Sequence, residues 1–239
     1  MLASMFPDGA SPGATPNNAG GGLPPTVRER RGFDPLLDLA RMIEARGADG
    51  DGHADRLARS AEMLARATGM PETDVAAVKL GAHLHDIGKV MVPEWIIWKT
   101  GPLTDDETTV MRGHPIVGAQ MLTFTGVPAG AREIVLRHHE RFDGTGYPMG
   151  LTGPKLPVTS RIVTIADAYD AMRSNRPYRR ALSRDEAIRR LRDGAGRQFD
   201  PDLVEPFCAL AIPEPPIDEE PIWQRMKSVQ SGGGRSHAL

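Results

Sequence analysis

An apolar stripe at helical spacing recurs from residue 33 to residue 211, and this pattern constrains the fold more than any other feature of the sequence. In 33–46, for example, Leu36, Leu39 and Ile43 recur three or four residues apart, as on one face of a helix. Strand patterns are weak along the whole chain. The sequence therefore predicts an all-α domain of about eight helices. These predicted helices cover 33–46, 53–70, 71–89, 104–122, 128–139, 158–172, 183–194 and 200–211.

Glycine and proline predict where this domain begins and ends. The chain contains 26 Gly and 21 Pro, and they are dense in 1–32 and 212–239, where apolar residues follow no helical period. Such segments bury too little apolar surface to offset the conformational entropy lost on ordering. We therefore predict one domain at 33–211 between a disordered tail at 1–32 and a mostly disordered tail at 212–239.

Charge and cysteine content exclude several classes of protein. The 29 Lys and Arg balance 31 Asp and Glu, whereas proteins that coat long nucleic acids carry a basic excess. No run approaches the roughly 20 apolar residues that a membrane-spanning helix needs, and the first residues do not resemble a signal peptide. A single cysteine, Cys208, excludes an intrachain disulfide framework. We expect a cytoplasmic protein with neither a membrane nor a long nucleic acid as partner.

Histidines carry the strongest chemical signal. Six of the seven lie on or at the end of predicted helices: His53, His83, His85, His114, His138 and His139. Asp167 follows an apolar run in 158–172, where a carboxylate is costly unless a basic side chain pairs with it or a metal binds it. Imidazoles and carboxylates together favour divalent transition metals, and the absence of cysteine disfavours a structural zinc site. Neighbouring ligands about 100° apart on a helix suit more than one ion. We therefore favour a multinuclear hydrolytic centre over a basic partner for Asp167.

Four segments resemble the signature of the HD-GYP domain, a branch of the HD superfamily of metal-dependent phosphohydrolases. They are HDIGK at 85–89, HPIVG at 114–118, HHERFDGTGYP at 138–148, and ADAYDAM with SNRPYR at 166–179. The resemblance covers about 33–211, and its HHExxDGxGYP match is highly specific. It implies an all-α HD fold that hydrolyses cyclic di-GMP at a dinuclear or trinuclear centre of iron or manganese.

The resemblance also implies a set of metal ligands. They are His53, His85, Asp86, His114, His138, His139 and Asp167, with Asp86 as the bridging carboxylate. Trinuclear members carry a Glu four residues before the first histidine, and here that position holds the shorter Asp49. Asp49, or Asp51 beside it, could bind a third ion, and a dinuclear centre is the alternative.

Substrate contacts follow from the same resemblance. A hydroxide that bridges the metals would attack a phosphorus of cyclic di-GMP, which gives linear pGpG, and GMP after a second cut. Lys89 would contact a nonbridging phosphate oxygen, and Arg176 and Arg179 match basic positions that contact phosphate. Tyr147 would line the substrate cleft, although a packing role is an equal alternative. Asp170 is expected to hold a helix or loop by hydrogen bonds.

Two further functions remain open at this point. One is hydrolysis of another nucleotide, such as a mixed cyclic dinucleotide, although generic HD hydrolases lack the GYP motif. The other is a binding or scaffold module that docks signalling partners, such as a diguanylate cyclase. An intact set of candidate ligands argues against a module that has lost catalysis. We therefore favour the cyclic di-GMP phosphodiesterase.

Overall fold

A computed structural model of the protein describes residues 34–46, 52–175 and 180–213, and these ranges form helices and connecting loops. They contain ten α-helices, two 3₁₀ helices and no β-strand, so the prediction of an all-α fold is confirmed. The α-helices are α1 (Asp34–Glu44), α2 (His53–Ala67), α3 (Glu72–Leu84), α4 (Glu94–Ile97), α5 (Asp105–Arg112), α6 (His114–Met121), α7 (Ala129–Arg137), α8 (Val158–Arg173), α9 (Arg184–Asp193) and α10 (Pro201–Cys208). The 3₁₀ helices are Ile87–Met91 and Gly153–Lys155.

Two of the predicted helices are interrupted. The division of one of them and the short α4, which was not predicted, account for ten α-helices in the described residues where eight were expected. The predicted helix 104–122 divides at Gly113, because Pro115 has no N–H to donate to the carbonyl of Met111. The ring of His114 bonds that carbonyl instead, at 2.8 Å. The predicted helix 71–89 likewise ends early, and a 3₁₀ helix follows Asp86.

The apolar stripes meet in a core formed by α2, α3, α7 and α8. Leu57 of α2, Val78 of α3, Ile134 of α7 and Ile165 of α8 are completely buried there. A second apolar cluster joins α1 and the first 3₁₀ helix to α7 and to Leu122. Packing of this kind brings the start of α2, the ends of α3 and α7, and the middle of α8 to one region of the protein.

Two glycines allow the segment after Asp86 to lie directly against α6. A Cβ on Gly88 would lie 1.9 Å from the carbonyl oxygen of His114 and 2.6 Å from the amide nitrogen of Gly118. A Cβ on Gly118 would lie 3.2 Å from the amide nitrogen of Gly88. Only glycine fits at such a close backbone approach. The contact therefore places His114 beside Asp86.

Some predictions fall outside the residues that the structure describes. These are the tail at 1–32, most of the tail at 212–239, Asp49, Asp51, Arg176 and Arg179. The proposed domain limits stay predictions. Among the helices of the described ranges, none is both long and apolar enough to cross a bilayer.

Candidate metal centre

Seven of the predicted metal ligands lie together in two groups. Within each group, the candidate ligand atoms lie within 4.8 Å of one another. The first group, called here the His53 cluster, consists of His53, His85 and Asp167. The second group, the His114 cluster, consists of Asp86, His114, His138 and His139. The fold thus assembles the residues that the motifs indicated, while their binding of metal stays a prediction.

The carboxylate of Asp86 lies between these two clusters. Its Oδ1 is 3.2 Å from Nε2 of His114 and 3.9 Å from Nε2 of His138. Its Oδ2 is 3.2 Å from Nε2 of His85 and 2.6 Å from Nζ of Lys89. One oxygen therefore faces each cluster, which is the arrangement that a bridging carboxylate requires.

Four of the histidines have their Nδ1 atoms held by acceptors. Carbonyl and carboxylate oxygens can only accept, so each Nδ1 carries a hydrogen, and each Nε2 offers a lone pair to a metal when the ring is neutral. Three of the rings bond the carbonyl three residues earlier, at 2.8–2.9 Å, and the fourth bonds a carboxylate at 2.7 Å. The pairs are His85 with Ala82, His114 with Met111, His138 with Val135, and His53 with Asp170. The rings are thus oriented for a ligand at Nε2.

The adjacent ligand pairs lie at helix ends, and not along a helix as expected. Helix α3 ends before His85, and α7 ends before His138. The last carbonyls of a helix have no intrahelical partner, and the rings of these histidines use them. The 100° separation was therefore the wrong geometric reason, although both pairs do contribute to the two clusters.

A buried carboxylate on α8 supports the ring of His53. Asp170 accepts a hydrogen bond from Nδ1 of His53 and two from Arg56, at 2.8 Å from Nε and 3.0 Å from Nη2. Burial would raise the pKa of Asp170, but its bonds to His53 and Arg56 outweigh burial and lower the pKa. Asp170 thus orients a candidate ligand. Arg56 was not predicted, although it lies three residues after His53 and therefore on the same face of α2.

The pKa values of the histidines shift in opposite directions in the two clusters. Burial alone would lower the pKa of His85, but the charge of Asp86 raises it to about 9. Burial acts in the same direction on His53, where the bond to Asp170 and the charge of Asp167 raise the pKa above its ordinary value. The ring of His85 therefore holds a proton at neutral pH when no metal is bound, and the ring of His53 keeps its proton to a higher pH than an ordinary histidine does.

In the His114 cluster the shift has the opposite sign. Burial and the neighbouring imidazole of His139 hold the pKa of His138 well below its usual range. Burial and His114 lower the pKa of His139 to about 3. Burial would raise the pKa of Asp86, but the charges of His85 and Lys89 keep it well below the ordinary value. His138 and His139 are therefore neutral imidazoles beside the ionised carboxylate of Asp86.

The GYP loop is held by two carboxylates next to the ligands. Glu140 is completely buried and accepts hydrogen bonds from the amides of Met149, at 2.6 Å, and Leu151, at 3.2 Å. Asp143 accepts from the amide and hydroxyl of Thr145 and from the guanidinium of Arg141. Asp143 thus anchors the loop between Arg141 and Thr145. Neither carboxylate belongs to the two clusters.

Tyr147 lies beside a candidate ligand. Its ring stacks on the imidazole of His139, with centroids 4.8 Å apart and an interplanar angle of 25°. Burial and the charge of Asp86 raise the pKa of Tyr147 to about 12, so its hydroxyl stays protonated at neutral pH.

Both clusters open into a cavity of about 420 Å³. Lys89 and Tyr147, which were predicted to contact substrate, line this cavity. Four further lining residues were missed from the sequence: Arg112, Arg141, Thr164 and Gln198. Arg112, Thr164 and Gln198 lie outside the motif segments, so only the packing of the helices brings them to the site, whereas Arg141 lies within HHERFDGTGYP.

A helical fold with paired histidine and aspartate clusters defines a candidate metal-dependent hydrolase, and comparison with known proteins gives its family. The HD domain family model matches residues 39–203, and the chain belongs to this family. The HHERFDGTGYP motif and the relatives below confirm the resemblance to the HD-GYP branch.

Curated relatives include proteins with two named substrates. The chain is 41% identical over 180 residues to the "Cyclic di-GMP phosphodiesterase response regulator RpfG" of Xanthomonas campestris, covering 74% of this chain and 47% of that protein. It is 36% identical over 172 residues to "3'3'-cGAMP-specific phosphodiesterase 2" of Vibrio cholerae, covering 71% of this chain and 33% of that protein. The chain thus spans about half or less of the length of these relatives.

A solved structure supports the fold. The HDG"Y"P protein Bd1817 from Bdellovibrio bacteriovorus matches with a TM-score of 0.54 at 23% identity, over 65% of this chain and 50% of that one. At this identity the match shows the shared fold alone.

Proposed function

We propose that this protein is a metal-dependent phosphodiesterase that hydrolyses cyclic di-GMP to pGpG, to GMP, or to both. The observation that carries the proposal is the carboxylate of Asp86, with one oxygen directed at each of two imidazole clusters. The substrate is supported by the 41% identity to a relative with that activity in its name. A nucleotide substrate and a single cysteine favour action in the cytoplasm.

The donor atoms fit a pair of divalent ions. Imidazole nitrogens and carboxylate oxygens without sulfur suit iron or manganese, and the preset Nε2 atoms need no rearrangement to bind. The proposed ligands are His53, His85, Asp86, His114, His138, His139 and Asp167, with Asp49 as a ligand for a third ion. When bound, paired ions activate water and neutralise phosphate charge.

Residues of the chain position the substrate for in-line displacement, which depends mostly on alignment and charge neutralisation. Lys89 is half-buried in the cavity wall, where Asp86 holds its ammonium group. We propose that this ammonium group also reaches a nonbridging phosphate oxygen. We propose the same contact for Arg176 and Arg179, and a place for Tyr147 against the substrate. Glu140 keeps the loop after the ligands in place.

Turnover of cyclic di-GMP tests the proposal. Protein purified without oxygen and loaded with Fe²⁺ or Mn²⁺ should release pGpG or GMP, measured by chromatography. His85→Ala and Asp86→Ala should abolish hydrolysis. His83→Ala is the matched control, because this ring on α3 faces Asp55 at 3.5 Å and belongs to neither cluster. A metal-replete protein without turnover would overturn the proposal, and Asp49→Ala should lower the metal count by one if a third ion binds.

A mixed cyclic dinucleotide is the second candidate substrate. The relative named as 3'3'-cGAMP-specific, at 36% identity, favours it. Comparison of kcat/KM for cyclic di-GMP and 3'3'-cGAMP decides between the two substrates. A scaffold that docks a regulatory protein or a diguanylate cyclase is the remaining alternative, and it predicts partner binding that survives Asp86→Ala.

A further inference from the structure

Arg112 lies at the cavity and was not part of the sequence motifs. It is the last residue of α5, and its side chain is exposed and lines the cavity that contains both clusters. The carbon of its guanidinium lies 5.2 Å from the centre of the Tyr147 ring. Since that ring stacks on His139, the three side chains form a continuous stack from the cavity mouth to the His114 cluster.

The backbone around Arg112 is fixed by the site itself. Gly113 separates it from His114, whose ring bonds the carbonyl of Met111 on the other side of Arg112. A cation over an aromatic face is attracted by the negative potential of that face, which helps to hold the guanidinium in place. Arg112 is therefore positioned, and not merely a solvated side chain at a helix end.

The charges along the cavity distinguish Arg112 from the other cations that line it. Lys89 is paired with Asp86, and Arg141 is paired with Asp143. The side chain of Arg112 has no ion pair and no hydrogen bond to any residue in the described part of the chain. Its five N–H donors thus remain available to a ligand in the cavity, and guanidinium groups bind phosphate oxygens in a bidentate manner.

We propose that Arg112, held on the Tyr147 ring, binds a phosphodiester oxygen of the cyclic dinucleotide at the mouth of the cavity. This inference rests on the proposed function. A cyclic dinucleotide carries two phosphodiesters, and only one can be attacked at a time. Arg112 neutralises phosphate charge at a position separate from Lys89, and it acts in binding and not in the chemical step.

The kinetics of Arg112→Ala test this role. The KM for cyclic di-GMP should rise about tenfold to a hundredfold, as expected for loss of a charge-assisted hydrogen bond to phosphate. The kcat and the metal content should stay close to those of the wild type, because the lost contact contributes equally to ground state and transition state. Arg112→Lys keeps the charge but loses the bidentate geometry, so its KM should lie between that of the wild type and that of Arg112→Ala.

Arg59→Ala is the matched control, because Arg59 is an exposed arginine of α2 that does not line the cavity. A KM for Arg112→Ala equal to that of Arg59→Ala would overturn the assignment. Loss of metal or of kcat at unchanged KM would also overturn it, since Arg112 would then support His114 and not the substrate. A metal-replete wild type without turnover would instead overturn the proposed function, and the assignment with it.

Discussion

Asp170→Asn probes how the protein prepares His53 for a metal. The carboxylate of Asp170 is 5% exposed and accepts from His53 on one side and from Arg56 on the other. The substitution keeps the shape of the side chain but replaces one oxygen by an NH₂ group. That group can only donate, so it must face a donor of His53 or of Arg56, and the charge that balances Arg56 is lost.

Two magnitudes follow from these contacts. Loss of a carboxylate that orients a metal-binding histidine typically weakens metal affinity about 10-fold to 100-fold. The side chain of Arg56 is 24% exposed, so water replaces part of its lost bonding. We expect a loss of about 2 kcal/mol in the free energy of unfolding, which corresponds to a fall in Tm of about 4–8 °C for a chain of this size.

The pH dependence of this effect has a definite sign. Asp170 raises the pKa of His53, so the substitution lowers that pKa and reduces competition between protons and metal. This gain partly offsets the lost orientation near neutral pH and vanishes once His53 is deprotonated in both proteins. The difference in metal affinity between wild type and variant should therefore grow as pH rises.

Competition with a chelator of known affinity measures these values, with thermal unfolding alongside. Asp193→Asn is the control, because it removes a carboxylate from an exposed pair with Arg189 on α9. Equal metal affinity for Asp170→Asn and the control at every pH would refute the role of Asp170 in orienting His53.

Two further predictions concern the assembly of the centre. Gly88→Ala should lower the free energy of unfolding by about 1–3 kcal/mol or more and weaken metal binding, because its Cβ would meet the carbonyl of His114 at 1.9 Å. Gly101→Ala is the control, since the space around Gly101 is open. Equal Tm values for the two variants would contradict the close contact. Metal binding at pH 7 should release protons, because the pKa of His85 is raised to about 9 without metal. The affinity for metal should therefore rise with pH up to about 9. Calorimetry in buffers of different ionisation enthalpy measures the number of protons released, and no release at pH 7 would show that the ring of His85 is already neutral.

Helix positions were predictable because burial imposes its period on the sequence. The apolar residues before Asp167 indicated α8. The spacing of Thr104 and Glu107 is that of a capping box, and both of its hydrogen bonds form at the start of α5. The interruptions at His85 and Gly113 were not predictable from period alone. The break at Gly113 also depends on Pro115, and at both places an imidazole ring bonds a carbonyl at the helix end, which hydrophobic spacing does not record.

The candidate site, like the helices, was predictable from the sequence only in part. Histidine content indicated a multinuclear centre, and the resemblance supplied the set of ligands. The division into two clusters around Asp86 depends on the approach of Gly88 to Gly118, which joins segments about 30 residues apart in sequence. Contacts between distant helices, such as Arg56 with Asp170, likewise have no local signal, because each residue alone resembles an ordinary charged position on a helix surface.

The central claim is that Asp86 joins two ion sites, and anomalous diffraction from crystals of the Mn²⁺-loaded protein tests it most directly. The account predicts one anomalous peak in the His53 cluster and one in the His114 cluster, with an oxygen of Asp86 bound at each. A single peak, or peaks that Asp86 does not contact, would contradict the account.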